Sequence, residues 1–147
     1  MAECYDTRDR LWPIQELLRV LLDDADEMLG EAADENQDRW LDAIVEKMLA
    51  NLQEQFRIEE TGGYLEDVLE QYPEWHPQVV HLQQEHRLLE EQLRDVSARI
   101  KRQLDTGAVN IECRRQLRDW IAWYRQHERR ERALVQEAFV LEVGQGE

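Results

Sequence analysis

The chain has 147 residues, with 33 acidic against 18 basic side chains and a net charge of −15. That length suits one domain with a real core. That charge argues against nucleic acid and anionic membranes as partners, because both select for positive charge.

Six Gly, three Pro and 35 % charged residues in long amphipathic runs read as all-α. The opening Met-Ala-Glu-Cys-Tyr-Asp is polar and acidic, unlike a signal peptide, and no apolar run approaches the ~20 residues of a bilayer span. A cytoplasmic protein is expected. Cys4 and Cys113 lie far apart without metal or redox spacing, and Cys113 reads as a small core residue.

Residues 1–10 read as a flexible arm. A first helix is expected over 11–30, with Pro13 near its first turn and Gly30 as its stop. Its inner stripe is Leu11, Gln15, Leu18, Leu22, Ala25 and Leu29. A second helix is expected over 38–71, with Leu41, Val45, Met48, Leu52, Gln55 and Glu59 inward and an interruption at Gly62-Gly63. Tyr72-Pro-Glu-Trp-His-Pro77 is a clear break. A third helix, 77–104, carries Val79, Leu82, His86, Leu89, Leu93, Val96 and Ile100. A fourth, 110–140, carries Cys113, Leu117, Trp120, Tyr124, His127, Glu131, Leu134 and Ala138, in steps of three and four. Residues 141–147 read as a tail. Four long helices with short connections predict an up-down-up-down antiparallel bundle.

His127 and Glu131 are polar residues on an apolar stripe. Burying such groups costs several kcal/mol unless they are paired. Two residues on antiparallel neighbours sit level when their midpoint falls in the connecting loop. By that rule Gln15 is level with Gln55, Glu59 with His86, and His86 with His127. One polar layer of Gln15, Gln55, Glu59, His86, His127 and Glu131 is therefore expected. Glu90, one turn after His86, is expected to flank it. His76 and His81 are expected at the surface.

Imidazole nitrogen and carboxylate oxygen suit iron, manganese or zinc, and bundle cores hold such ions from facing helices. The metal-free alternative is a hydrogen-bonded network of His86 and His127 with Glu59 and Glu131.

Gln55-Phe-Arg-Ile-Glu59-Glu60, Glu85-His86 and His127-Glu-Arg-Arg-Glu131 resemble a bacterial hemerythrin-like (HHE cation-binding) four-helix domain, over roughly Leu11–Ala138. In that family, His residues from all four helices and two bridging carboxylates hold a non-haem di-iron centre, which in some members binds or senses oxygen. The resemblance matches Glu59 and Glu131 to the carboxylates and His86 and His127 to the histidines of the last two helices. The two remaining positions fall on Gln15 and Gln55. Gln is a weak ligand beside imidazole.

The resemblance thus implies a degenerate site. It would hold one ion, iron or zinc or another divalent metal, or none, on Glu59, His86, His127 and Glu131. Typical oxygen carriage is not expected, nor is an enzyme; a di-metal oxidase would need more carboxylates in the layer. The reading is a metal-binding domain in metal or redox sensing. The alternative is a metal-free interaction or scaffold module, docking a protein through the Arg-rich last helix, the acidic corner around Asp23–Asp38, or an exposed tryptophan, Trp75 above all.

Overall fold

A computed structural model describes residues 2–31, 34–61 and 64–145. They form α1 (Ala2–Gly30), α2 (Glu35–Thr61), α3 (Tyr64–Gln71), one 3-10 turn (Pro73–Trp75), α4 (His76–Thr106) and α5 (Ile111–Gln145). The described residues contain no strand, and no helix among them is long and apolar enough to cross a membrane.

The stripes expected from periodicity are the buried faces, except at Gln15, which is half-buried; Ala138, the last expected stripe position, lies outside the residues whose side chains are described. Leu18, Val45, Met48, Leu52, Leu89, Leu93, Ile100 and Leu117 are fully enclosed. Each is worth about 1.5–3 kcal/mol of burial relative to exposure.

The four long helices α1, α2, α4 and α5 surround this core, and neighbours run antiparallel. Arg19 of α1 meets Glu128 of α5, while Leu29 further along α1 meets Arg118 earlier in α5. Lys101 and His86 of α4 meet Asp42 and Glu59 of α2 in the same reversed order. The Trp120 indole N–H donates to the Leu89 carbonyl at 2.9 Å and ties α5 to α4. Gly107, with φ 149°, ends α4 in a conformation that side-chain-bearing residues rarely adopt.

Several expected boundaries differ. The residues expected as an arm over 1–10 are helical from Ala2, and Pro13 lies inside α1 rather than near its start. Pro13 is exposed, while Leu11 before it is buried, so packing upstream of the proline holds the helix across it. The segment expected as one helix over 38–71 is two, α2 and α3. Gly62-Gly63, the expected interruption, lies outside the described residues. At the other end α5 runs to Gln145, through part of the expected tail and past 140. No proline or glycine intervenes before Gly144 to stop it.

The core is divided. A large apolar cluster fills the bundle from Leu29 and Val109 to Phe56 and Tyr124. A small one, Leu65, Val79, Leu82, Leu134 and Val135, lies toward α3. The buried polar side chains Gln55, Glu59, Glu85, His86, His127 and Glu131 occupy the same stretches of α2, α4 and α5 where one cluster gives way to the other.

A candidate metal centre in the polar layer

Glu59, His86, His127 and Glu131 are all buried, at 1 %, 1 %, 1 % and 7 % exposure. Glu59 comes from α2, His86 from α4, and His127 and Glu131 from successive turns of α5. The His86 Nε2 lies 3.2 Å from Glu59 Oε2 and 3.3 Å from Glu131 Oε2. The His127 Nε2 lies 3.2 Å from the same Glu131 oxygen. Ligand atoms of His86, His127 and Glu131 fall within 4.8 Å of one another, a group that can hold a metal ion.

Proximity and hydrogen bonding disagree here. His86 Nε2–H is aligned to donate to Glu131. Both oxygens of Glu59, Glu131 Oε1, His127 Nε2, His86 Nδ1 and Gln55 Nε2 are enclosed without a hydrogen-bond partner. Six of the nine such atoms among the described residues thus belong to this one layer. Buried polar atoms are nearly always paired in folded proteins, so their concentration marks the layer as one whose polar groups the chain's own atoms leave unsatisfied.

The electrostatics agree. Burial pushes the Glu59 carboxyl well above the usual carboxylate range, and the neighbouring Glu131 carboxylate pushes it further. Burial also acts to raise Glu131, but the His127 and His86 imidazoles beside it outweigh that and hold Glu131 low. Two carboxyl groups this enclosed do not both ionise without a compensating cation. For His127, burial disfavours the imidazolium, but Glu131 and Glu85 more than offset it and raise the imidazole.

The donor set fits a metal. All the facing atoms are imidazole nitrogen or carboxylate oxygen. Three separations of 3.2–3.3 Å match the roughly 3.3 Å edge of a tetrahedron whose donors stand ~2.0–2.1 Å from its centre; the group that can close on one ion is His86, His127 and Glu131, with Glu59 beside His86 and outside it.

Of the three other expected residues, Gln55 lies in the layer as expected, and Gln15 and Glu90 differ. Gln55 is buried and accepts a bond from the Tyr124 hydroxyl at 3.1 Å. Gln15 stands on the wall of a recess of about 270 Å³ between α1 and α5, lined also by Arg19, Glu128 and Glu131. Glu90 is not part of the layer: its carboxylate accepts from Arg94 at 3.1 Å, one turn along α4.

Glu85 flanks the histidines instead. It is 6 % exposed, and its Oε1 accepts from His127 Nδ1–H at 2.9 Å. Its Oε2 accepts from Arg130 at 2.7 Å and from the Trp123 indole at 3.3 Å. The missed signal is spacing, since Glu85 is three residues after Leu82 and four before Leu89, itself a stripe position. Phe56 stacks on the His86 ring, centroids 3.9 Å apart. His76 and His81 are exposed, as expected.

The charged faces named as docking surfaces meet one another. Arg125 of α5 pairs with Asp23 and Asp26 of α1. Arg118 donates to the Leu29 carbonyl. Asp38, expected in the acidic corner, is fully buried. It accepts from Arg114 and from the Val109 N–H, at 2.8 and 2.9 Å. Trp75 is half-buried and stacked on Tyr72, whereas Trp12 and Trp40 are the exposed tryptophans.

Searches of family models, curated proteins and solved structures return no match to this chain.

Proposed function

We propose that the chain is a metal-binding helical bundle, hemerythrin-like in its up-down-up-down arrangement. Its reduced, mononuclear site is built from Glu59, His86, His127 and Glu131, and it acts in metal or redox sensing in the cytoplasm. The single observation that carries this reading is the set of imidazole nitrogens and carboxylate oxygens 3.2–3.3 Å apart, in a buried layer where six polar atoms have no hydrogen-bond partner. Charge supports it. Arg130 offsets Glu85, which leaves Glu59 and Glu131 as two carboxylates that one divalent cation would neutralise. Imidazole and carboxylate together suit iron or zinc. Bound there, the ion would supply a redox couple if iron or a fixed structural charge if zinc. With Gln15 and Gln55 where the family resemblance expects histidine, the layer offers nitrogen donors for one ion rather than two.

Elemental analysis after purification without chelator, then after loading with iron(II) or zinc, tests this. About one equivalent is expected, lost in His86→Ala and in His127→Ala. No retained metal in any preparation would overturn the reading. Two equivalents with an oxo-bridged optical band would overturn the mononuclear assignment.

A second reading, a metal-free bundle serving as an interaction module, has one observation in its favour. His86 Nε2–H already donates to Glu131, while its Nδ1 is buried without a partner. Turning Nε2 into a ligand moves that proton to a nitrogen with no acceptor, at a cost of about 1–3 kcal/mol.

A further inference from the structure

The two histidines of the layer are held in different ways. His86 is stacked on Phe56, and its Nδ1 lacks a partner. His127 is fixed through its Nδ1 by a carboxylate that is itself fixed. Glu85 receives the Arg130 guanidinium at 2.7 Å and the Trp123 indole at 3.3 Å on one oxygen, which leaves the other for His127 at 2.9 Å. A carboxylate so surrounded by donors acts only as an acceptor. The ring must therefore present N–H at Nδ1. In the neutral imidazole this leaves Nε2 as a bare lone pair, 3.2 Å from Glu131 Oε2.

We infer that Glu85 is the positioning residue of this layer: it sets the tautomer and the ring angle of His127 so that Nε2 faces the ion. The inference rests on the metal-binding reading above. Carboxylates behind ligating histidines work in this way in metal sites generally, and losing one typically costs 10–100-fold in affinity. The arrangement has a second consequence. Arg130, nearly half exposed at its side chain, stands on the outer side of Glu85, so the inner site is anchored from the protein surface.

The test is a graded series read by zinc affinity in a chelator competition. Glu85→Ala removes the acceptor and is expected to weaken zinc 10–100-fold. Glu85→Gln keeps an acceptor oxygen but loses the charge, and should fall between wild type and Glu85→Ala. Arg130→Met leaves the core intact and loosens Glu85 from outside, with a smaller loss of a few-fold. Nitrogen-15 NMR of the metal-free protein, at a pH above the imidazole titration, gives a readout that a merely structural role would not move. The His127 proton should sit on Nδ1 in wild type and redistribute between the nitrogens in Glu85→Ala. Equal zinc affinity across the series, or a wild-type His127 protonated at Nε2, would overturn the inference. If wild type binds no metal at all, the function proposed above falls instead, and the NMR measurement still decides the role of Glu85.

Discussion

The bundle encloses acidic groups at two places and treats them in opposite ways. At the end where α1 meets α2 and α4 meets α5, Asp38 is fully buried, yet both of its oxygens are occupied, by the Arg114 guanidinium and the Val109 N–H. Arg114 in turn donates to the Met28 carbonyl at 3.0 Å. Further along, Glu59 and Glu131 are buried as deeply, but three of their four oxygens have no hydrogen-bond partner. The first site shows that this chain can satisfy an interior charge with its own atoms. The second is therefore not a failure of packing. Its unpaired oxygens belong to two carboxyl groups that each stand beside an imidazole, the donor types a cation from outside the chain would join.

Four expected outcomes would break or sharpen that contrast. The largest is at the satisfied site. Asp38→Asn leaves the Arg114 guanidinium enclosed without its counter-charge, which typically costs about 3–5 kcal/mol. For a domain of this size that is a fall of roughly 10 °C in Tm, with or without added metal, measured by thermal unfolding. A loss of less than 1 kcal/mol would erase the distinction between the two sites.

At the unsatisfied site the sign should reverse. Glu59→Gln removes a carboxylate that repels Glu131, so the metal-free protein should gain on the order of 1 kcal/mol at pH 8. The same change should cut metal affinity at least tenfold, by calorimetry or chelator competition. If Glu59→Gln destabilises the metal-free protein, the layer is already a complete network.

The third outcome follows from the directions of titration. Glu59 is raised, so between the ordinary carboxylate pKa and its elevated value the folded state holds more protons than the unfolded state. Stability falls as pH rises through that range. His127 is also raised: its contribution is complete below the ordinary imidazole value and is lost as pH climbs through the folded value. Glu131 is depressed, and its contribution is lost only in acid, as pH falls through the folded value. The metal-free protein should thus have a lower urea midpoint at pH 8 than at pH 5.5. Metal requires deprotonated ligands, so loading should flatten or invert that trend. An unchanged slope after loading would count against the site.

The smallest outcome is a control at the surface. Arg125→Ala breaks partly exposed pairs with Asp23 and Asp26 and should cost about 0.2–1 kcal/mol in denaturant unfolding, with metal affinity unchanged.

The four long helices and their inner faces were legible because burial follows a 3.6-residue period. Leu117, Trp120 and Tyr124 could be placed from spacing alone. The convergence of Glu59, His86, His127 and Glu131 was legible too, because antiparallel hairpins convert loop positions into heights. What sequence could not resolve was rotation about the helix axis. Glu85 and Glu90 both neighbour the His86 stripe, yet one bonds His127 and the other Arg94. Asp38 was read as one acid among many in a polar corner, because only the fold brings Arg114 to it across 76 positions of chain. The start of α1 was missed because Pro13 is a helix-start signal that the packing of Leu11 overrides.

The division of the apolar interior bears on how the molecule opens. The cluster of Leu65, Val79, Leu82, Leu134 and Val135 is small and is cut off from the main one by hydrophilic side chains. A segment held by this cluster and the separate Val68–Tyr72 pair alone should exchange its amide hydrogens well before the rest unfolds. An ion seated between the clusters would rivet them into one cooperative unit. Occupancy of a buried point would then be felt as stiffness at α3, which donates no ligand to it.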